Sequence, residues 1–460
     1  MPADCNPDRF AFEAVSGRRV EAAFDGGVVT SDAGGLLLGL TWKALSLTRR
    51  FAACFQDKRD PDLVEHSLET LLRQRVMGLA MGYEDLNDHD QLRHDPVLAL
   101  LAEKLEANRK DCAAVAGKAT LNRLELSGPE ATRYHKIGHD GARIERLFVE
   151  LFLESRAEAP DEIILDFDAT DDPLHGAQEG RFFHGYYDCY CYLPLYVFCG
   201  RDLLAAKLRR ANIDGSAGAK EEAERIVTQI RERWPATRII LRADSGFARE
   251  ELMQWCEANG VDYLFGLARN ERLAEEIATE LGEARDEAKA TGKPARRFKD
   301  FPWTTLNSWS RLRRVVAKAE WLGDKANPRF VVTSLAPERA QARTLYEDIY
   351  CARGDMENRI KEAQGDLFGD RTSTRSLRSN QLRLWFASLA YAVLQALRRI
   401  GLAGTVLAMA SCMSLRLKLL KIGATVTSST RRIKLAMAES FPLKETFAIA
   451  HQRLAAAARG

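Results

Sequence analysis

The chain of 460 residues is 46% hydrophobic and 29% charged, the composition of an ordinary globular protein, and its length suggests two or three domains of roughly 150 residues. A net charge of +2 conceals an asymmetry: residues 371–460 carry 15 Lys and Arg against Glu439 and Glu445, a surplus of 13, which leaves −11 for residues 1–370. A basic end on an acidic chain is the electrostatic footprint of nucleic-acid contact, the plainer alternative being a helix bundle with a solvated basic face.

Several classes are excluded at once. The nine cysteines (5, 54, 112, 189, 191, 199, 256, 351, 412) contain no CxxC pair. The CxC at 189–191 and Cys199 make no zinc pattern with the sparse histidines, so the expectation is reduced thiols in a cytoplasmic protein. The opening MPADCNPDRF is not a secretory signal. The apolar run 402–415 is too short and too rich in Gly, Ser and Thr for a bilayer span of about 20 residues. Neither a Walker P-loop nor GxGxxG occurs, which removes support for ATP or dinucleotide use.

In chain order, residues 1–35 alternate short apolar runs with Gly26, Gly27, Gly34 and Gly35, predicting a small hairpin, and Thr30-Ser31-Asp32 offers helix caps. Leu68, Leu71, Leu72, Val76 and Leu79 recur every three or four residues, predicting an amphipathic helix over 66–81. Further helices are expected over 95–107 and 144–157. Residues 1–158 therefore read as a mainly helical N-terminal DNA-binding domain.

From 159 the pattern changes. EIILDFDAT at 162–170 is a short apolar strand with Asp166 and Asp168 at its far end; strand residues two apart point the same way, so both carboxylates emerge together. A loop with His175, Gly176, Gln178, Glu179 and Gly180 follows, then strands over 186–198 and 202–209. A helix at 219–234, a strand at 237–243 ending at Asp244, a helix at 249–258 and a strand at 262–267 complete the run. Three strands, helix, strand, helix, strand is the order of an α/β ribonuclease H-like core, whose first part spans 159–270. In that topology the first and fourth strands are neighbours, which brings Asp168 beside Asp244, and a later helix should supply a third carboxylate. Residues 271–338 read as a β-rich insertion, with strands at 303–310, 311–321 and 329–335. Residues 339–372 return to the core as a helix, and 373–460 form a basic helical C-terminal region.

That late helix holds Tyr350, Arg353 and Glu357 at spacings of three and four, with Lys361 continuing the face, in YCARGDMENRIKE. The arrangement suits a metal-binding glutamate beside a guanidinium fork for phosphate, and also a salt-bridged surface helix.

With LDFDAT at 165–170, HGAQEG at 175–180, LRADSGF at 241–247, YLFGLARN at 263–270 and YCARGDMENRIKE at 350–362, the sequence resembles the DDE transposases of bacterial insertion sequences, in the branch with a Tyr-Arg-Glu-Lys signature helix. The resemblance covers most of the chain. It implies Asp168, Asp244 and Glu357 as catalytic metal ligands, with Asp166 as the fallback for the first. It also implies two magnesium ions, with manganese as a substitute, in cut-and-paste transposition of double-stranded DNA. Two divalent cations suit strand cleavage and transfer, and magnesium suits an all-oxygen ligand set. In one departure, the family's lysine seven residues after the glutamate is Gln364 here, with Lys361 on the same face. The insertion is implied to hold the transposon end, Trp303, Trp309 and Trp321 stacking on bases or serving as core, with Arg311, Arg313, Arg314, Lys318 and Lys325 adding charge. Tyr350, Arg353 and Lys361 flank the site. Basic C-terminal helices bearing Arg375, Arg378, Arg383, Arg431, Arg432 and Lys434 are expected on phosphate backbone, in a homodimer that pairs two ends.

Two rivals stay open at this point. Asp-Phe-Asp-Ala-Thr at 166–170 matches the DxDxT signature of haloacid-dehalogenase-type phosphatases, with Asp166 as nucleophile and Asp168 as acid or base, a fold that needs parallel strands with helical crossovers. The other is a catalytically silent transposase relic that only binds DNA.

Overall fold

The computed structural model describes residues 9–459, so Cys5 and the opening MPADCNPD lie outside the described residues. The chain divides into two compact units, Ala53–Lys58 with Glu125–Gln395, and residues 9–52 with Arg59–Leu124 and 396–459. The divisions expected at 158 and 373 are therefore not where the chain separates. Among the described residues no helix is long and apolar enough to cross a membrane.

The unit containing Glu125–Gln395 is built on one mixed sheet. Its elements are α1 (Gly141–Glu154), β1 (Glu162–Ala169), β2 (Leu195–Cys199), β3 (Asp202–Lys207), α2 (Ala219–Arg233), β4 (Arg238–Ala243), α3 (Glu250–Ala258), β5 (Asp262–Leu267), α4 (Ala278–Thr291), β6 (Ala295–Trp303), β7 (Arg313–Leu322), β8 (Arg329–Thr333), α5 (Gly354–Lys361) and α6 (Leu377–Ala396). The strand order is β3-β2-β1-β4-β5-β8-β7-β6. β2 runs antiparallel to β1 and β3, while β4 is parallel to both β1 and β5. This is the ribonuclease H-like α/β arrangement, because each parallel step needs a crossover and α2 and α3 supply them.

Both sheet faces are covered, which explains why the central strands are apolar at nearly every position. Ile163, Leu165 and Phe167 of β1 pack with Ile226 and Ile230 of α2 and with Leu252 and Met253 of α3. Ile240 and Leu264 face the other way and meet Val316, Val331, Leu345 and Tyr346.

Three strand expectations shift. The aromatic run 186–198 is not one strand: Pro194 has no N–H to donate, and the chain breaks there. Cys189–Tyr192 instead pairs with Phe182–His184 and Asp172–Pro173 in a separate three-stranded sheet. The strand expected at 303–310 is β6, which ends at Trp303; beyond it the Thr305 hydroxyl accepts the amides of Ser308 and Trp309 at 3.1 and 2.8 Å and turns the chain. The β-rich stretch does not stand apart from the sheet. β8 pairs with β5, Phe265 opposite Val332, because the apolar edge of β5 would otherwise leave a row of unpaired amides and carbonyls.

In the other unit, helix Leu68–Met81 is buried nearly all round, Glu69 alone being exposed, so it is not the amphipathic surface helix its periodicity suggests. Its polar residues are satisfied internally, Gln74 by the Ala116 carbonyl at 2.7 Å and Arg73 by the Leu101 carbonyl at 2.7 Å. The C-terminal stretch is not wholly helical: Ala424–Ser429 and Arg432–Met437 form a hairpin, and Ala424 pairs with Thr30. Arg431, Arg432 and Lys434 are exposed on that hairpin, not on a helix. Part of the basic surplus is structural. Arg416 donates to the Ala80 carbonyl at 3.2 Å, and Lys421 pairs with the buried Asp32 at 2.6 Å.

Candidate active site

The parallel register of β1 and β4 sets Arg242 opposite Asp166 and Ala243 opposite Phe167. The next residues past that pair, Asp168 near the end of β1 and Asp244 just beyond β4, thus lie side by side. Asp244 caps the short turn Ser245–Phe247, accepting the Gly246 amide at 2.8 Å, which aims its carboxylate at the strand ends. The third acid comes from an irregular helix. Instead of one α-helix over 340–364, a π turn (Leu345–Tyr350) and a 3-10 turn (Cys351–Arg353) precede α5, and a second π turn (Glu362–Asp366) follows. π turns cluster at functional sites because the extra residue re-aims the side chains around it.

Asp168, Asp244, Arg353, Glu357, Lys361 and Gln364 line one cavity of about 680 Å³. Arg353 lies between two of the acids, 3.2 Å from Asp168 and 3.4 Å from Glu357. Burial pushes the Asp168 carboxyl up to about 7, with Arg353 opposing and Asp244 and Glu357 adding to the rise. Among the described residues no three acidic, histidine or cysteine side chains converge tightly enough to cage a metal ion as they stand. The donor chemistry nevertheless fits a hard divalent cation: three carboxylates share one cavity, and the charge between two of them is the Arg353 guanidinium.

Asp166 is placed elsewhere. Both its oxygens are held by Arg242, at 2.5 and 2.8 Å, and the same guanidinium donates to the Ile349 carbonyl. Burial raises the Asp166 carboxyl, and the Arg242 bonds oppose that rise. The residue is thus tied beneath the cavity as half of a buried ion pair. Arg242 was missed in the sequence although it stands within LRADSGF at the β4 position facing Asp166.

Tyr350 packs its hydroxyl against Gly266 of β5. A Cβ at Gly266 would stand 2.5 Å from that hydroxyl, 2.8 Å from the Ser245 amide nitrogen and 3.1 Å from the Asp244 carbonyl carbon. Gly266→Ala therefore forces the Ser245 backbone or the Tyr350 ring to move, and is expected to lower the thermal midpoint and to lower activity on DNA by about 10²-fold, since small displacements of reacting groups cost that much. Comparing the thermal midpoint with single-turnover cleavage checks it; a variant as active as the parent refutes the packing role.

HGAQEG acts as a latch. Gln178 donates to the Thr372 carbonyl at 3.2 Å, the Glu179 amide to the Arg375 carbonyl at 2.8 Å, and Gln364 to the Asp171 carbonyl at 3.1 Å. Gln364 is thereby held by the backbone, while Lys361 is the exposed cation on the cavity wall. Beneath the latch lies Asp172, fully buried, accepting from the Thr372 hydroxyl at 3.2 Å while its other oxygen has no hydrogen-bond partner. Burial pushes its carboxyl up to about 8, helped by Asp370 and opposed by Thr372. The folded chain thus favours the protonated form, a contribution fully present below the ordinary value of 3.8 and lost as pH rises toward 8. The Asp172 contribution should lower stability by up to about 1.4 kcal/mol per pH unit across that window, and Asp172→Asn should lessen the slope in denaturant titrations, Asp168 still contributing to it.

The other expected DNA contacts are mostly occupied. Trp303 is buried under the Arg272 guanidinium, 4.5 Å from its ring, and Trp309 packs on the core below Arg313. Trp321 donates to the Gly323 carbonyl at 3.1 Å and packs beside Ala284 and Ala288. Arg313, expected on DNA, is buried between Glu250 and Glu257 at 2.6 and 2.7 Å, which commits its charge within the chain. Arg311 pairs with Glu257, Arg314 with Asp300, Lys318 with Glu320 and Arg383 with the buried Glu125. These strand and helix cations sit where acidic neighbours neutralise them, which spacing alone does not show. Arg375, Arg378 and Lys325 are exposed.

A comparison with curated proteins gives no match. Among solved structures, the chain is similar to the piggyBac transposase in a cryo-EM synaptic complex with hairpin DNA, at 12% identity and a TM-score of 0.40, over 85% of this chain and 80% of that one. The family described as transposase DDE domain group 1 matches residues 12–459, nearly the whole chain. The chain belongs to the DDE transposases of that group, a family that generally uses divalent metal ions.

Proposed function

We propose that the protein binds the terminal inverted repeats of an insertion sequence and catalyses DNA strand cleavage and strand transfer, with Asp168, Asp244 and Glu357 holding two magnesium ions. The observation that carries this reading is the meeting of three carboxylates, from the ends of β1 and β4 and from α5, in one cavity with Arg353 and Lys361. When bound, the metal ions supply an activated water or 3′-hydroxyl and neutralise the leaving oxygen. The chain's own residues do the rest. Arg353, already forked across two acids, is placed to release them and grip a phosphate, and Lys361 adds a second positive charge on the cavity wall. Arg375 and Arg378, and the hairpin cations Arg431, Arg432 and Lys434, are the exposed groups that would meet phosphate backbone, in a homodimer joining two ends.

The phosphatase alternative loses its nucleophile, because both oxygens of Asp166 are committed to Arg242. It also loses its topology, since β2 returns antiparallel to β1 with no helical crossover. The test is incubation of purified protein with DNA carrying the repeats that flank its gene. Nicking or excision in magnesium is expected, with manganese as a substitute. Hydrolysis of a phosphomonoester that disappears in Asp166→Asn, with no cleavage of the repeats, would refute the proposal.

A further inference from the structure

Beside the carboxylates a small sheet carries aromatic side chains that the chemistry above leaves unused. Strands Phe182–His184 and Cys189–Tyr192 pair antiparallel, His184 opposite Cys189, and residues 185–188 form the tip between them. The Asp188 amide donates to the His184 carbonyl at 2.8 Å, and Asp188 adopts φ 53°, which closes the tip tightly. His184, Tyr186 and Tyr187 line the same cavity as Asp168, Asp244 and Glu357. Tyr187 is half-buried, its hydroxyl 3.4 Å from the Ala169 carbonyl at the end of β1. Tyr186 stands edge to face on it at 5.0 Å, and is itself 85% exposed. Phe183 and Tyr190 form a second edge-to-face pair at 5.6 Å, 54% and 47% exposed, with the Arg181 guanidinium 4.4 Å from the Tyr190 ring.

Large rings grouped on a surface mark a binding face, because water gains nothing from them and the core does not use them. The cavity that Tyr186 and Tyr187 border sets the chemistry of the occupant. It must bring negative charge suited to Arg353 and Lys361, and something flat to lie on bare rings. A nucleotide does both, its phosphate in the cavity and its base on the tyrosine. Bases inside a duplex already stack on one another, so only unpaired or flipped ones offer a free face.

We propose that Tyr186, held edge to face by Tyr187, is a stacking platform for unpaired bases of the DNA end whose phosphate lies at the carboxylates. This rests on the reading of the chain as a strand-cleaving transposase. It moves the stacking role from Trp303, which is buried, to the sheet between β1 and β2.

The test uses the full-length chain carrying Glu357→Gln, alone and combined with Tyr186→Ala or Tyr186→Phe. Its probes are duplex ends taken from the repeats flanking the gene, either blunt or with a few unpaired terminal nucleotides that include 2-aminopurine. Tyr186→Ala should weaken binding of the unpaired ends about 10-fold more than that of the blunt ends and abolish the quenching of 2-aminopurine. Tyr186→Phe, which keeps the ring, should retain both. Equal loss on the two probes, or quenching unchanged in Tyr186→Ala, overturns the platform while leaving the transposase reading intact if wild-type protein cleaves the ends. A change of oligomeric state in Tyr186→Ala with DNA binding unaltered assigns the rings to a protein contact and overturns it too. Wild-type protein that neither binds nor cleaves either probe overturns the transposase reading and the platform together.

Discussion

Asp168→Asn, Asp244→Asn and Glu357→Gln should each lower DNA strand cleavage by at least about 10³-fold in magnesium while leaving binding of the repeat ends within a few-fold. The size follows from the metal-holding role proposed for each carboxylate: metal ions at the reacting phosphate contribute several kcal/mol of charge stabilisation, and each 1.36 kcal/mol is about tenfold in rate. The three positions are not equivalent in the folded chain. Asp168 is buried at the end of β1 beside Arg353, whereas Glu357 is half exposed on α5. Removing the Asp168 charge therefore frees Arg353 as well as deleting a ligand. Binding assays in the presence of a chelator separate this from a folding defect. If all three variants cleave at the parental rate, the site is elsewhere.

The nearness of Asp168 and Asp244 was legible in the sequence because it depends on strand order. EIILDFDAT, LRADSGF and the intervening helix signals suffice to set Asp168 beside Asp244, and the register of β1 with β4 does so. What was not legible is which cations are committed. Arg311, Arg313, Arg314 and Lys318 look in sequence like a basic strand suited to phosphate, yet the partners that neutralise them, Glu257, Glu250, Asp300 and Glu320, mostly lie on other elements. Pairing across a sheet is not a local property, so composition overstates the charge available to DNA. The same holds for the late helix. Its periodicity set Tyr350, Arg353 and Glu357 on one face, but the π turns before and after α5 leave no local signal. The aromatic run 186–198 had its break written in it at Pro194, and the error there was to read β-propensity without asking which residue could donate.

Arg242→Met should destabilise the unit by about 3–5 kcal/mol, the cost of stranding one member of a buried ion pair. The pair is well made, with both Asp166 oxygens bonded and each side chain less than a tenth exposed. Asp166→Asn should cost less, since an amide still offers one acceptor to the guanidinium, and its midpoint in urea should fall between those of the parent and Arg242→Met. The informative variant is the double substitution Asp166→Leu with Arg242→Met. Replacing both partners by apolar groups removes the stranded charge, so stability should return to within about 1–2 kcal/mol of the parent. Cleavage should not return with it. Arg242 also donates to the carbonyl of Ile349, at the end of the π turn that leads into Tyr350, Arg353 and Glu357, so the pair fastens β1 and β4 to the segment carrying the third carboxylate. A double variant that is stable but at least about tenfold slower in single turnover would show the pair acting as a positioning device. Recovery of both stability and rate would reduce it to a structural ion pair, and would mean that packing of Leu345 and Tyr346 on the sheet suffices to aim Glu357.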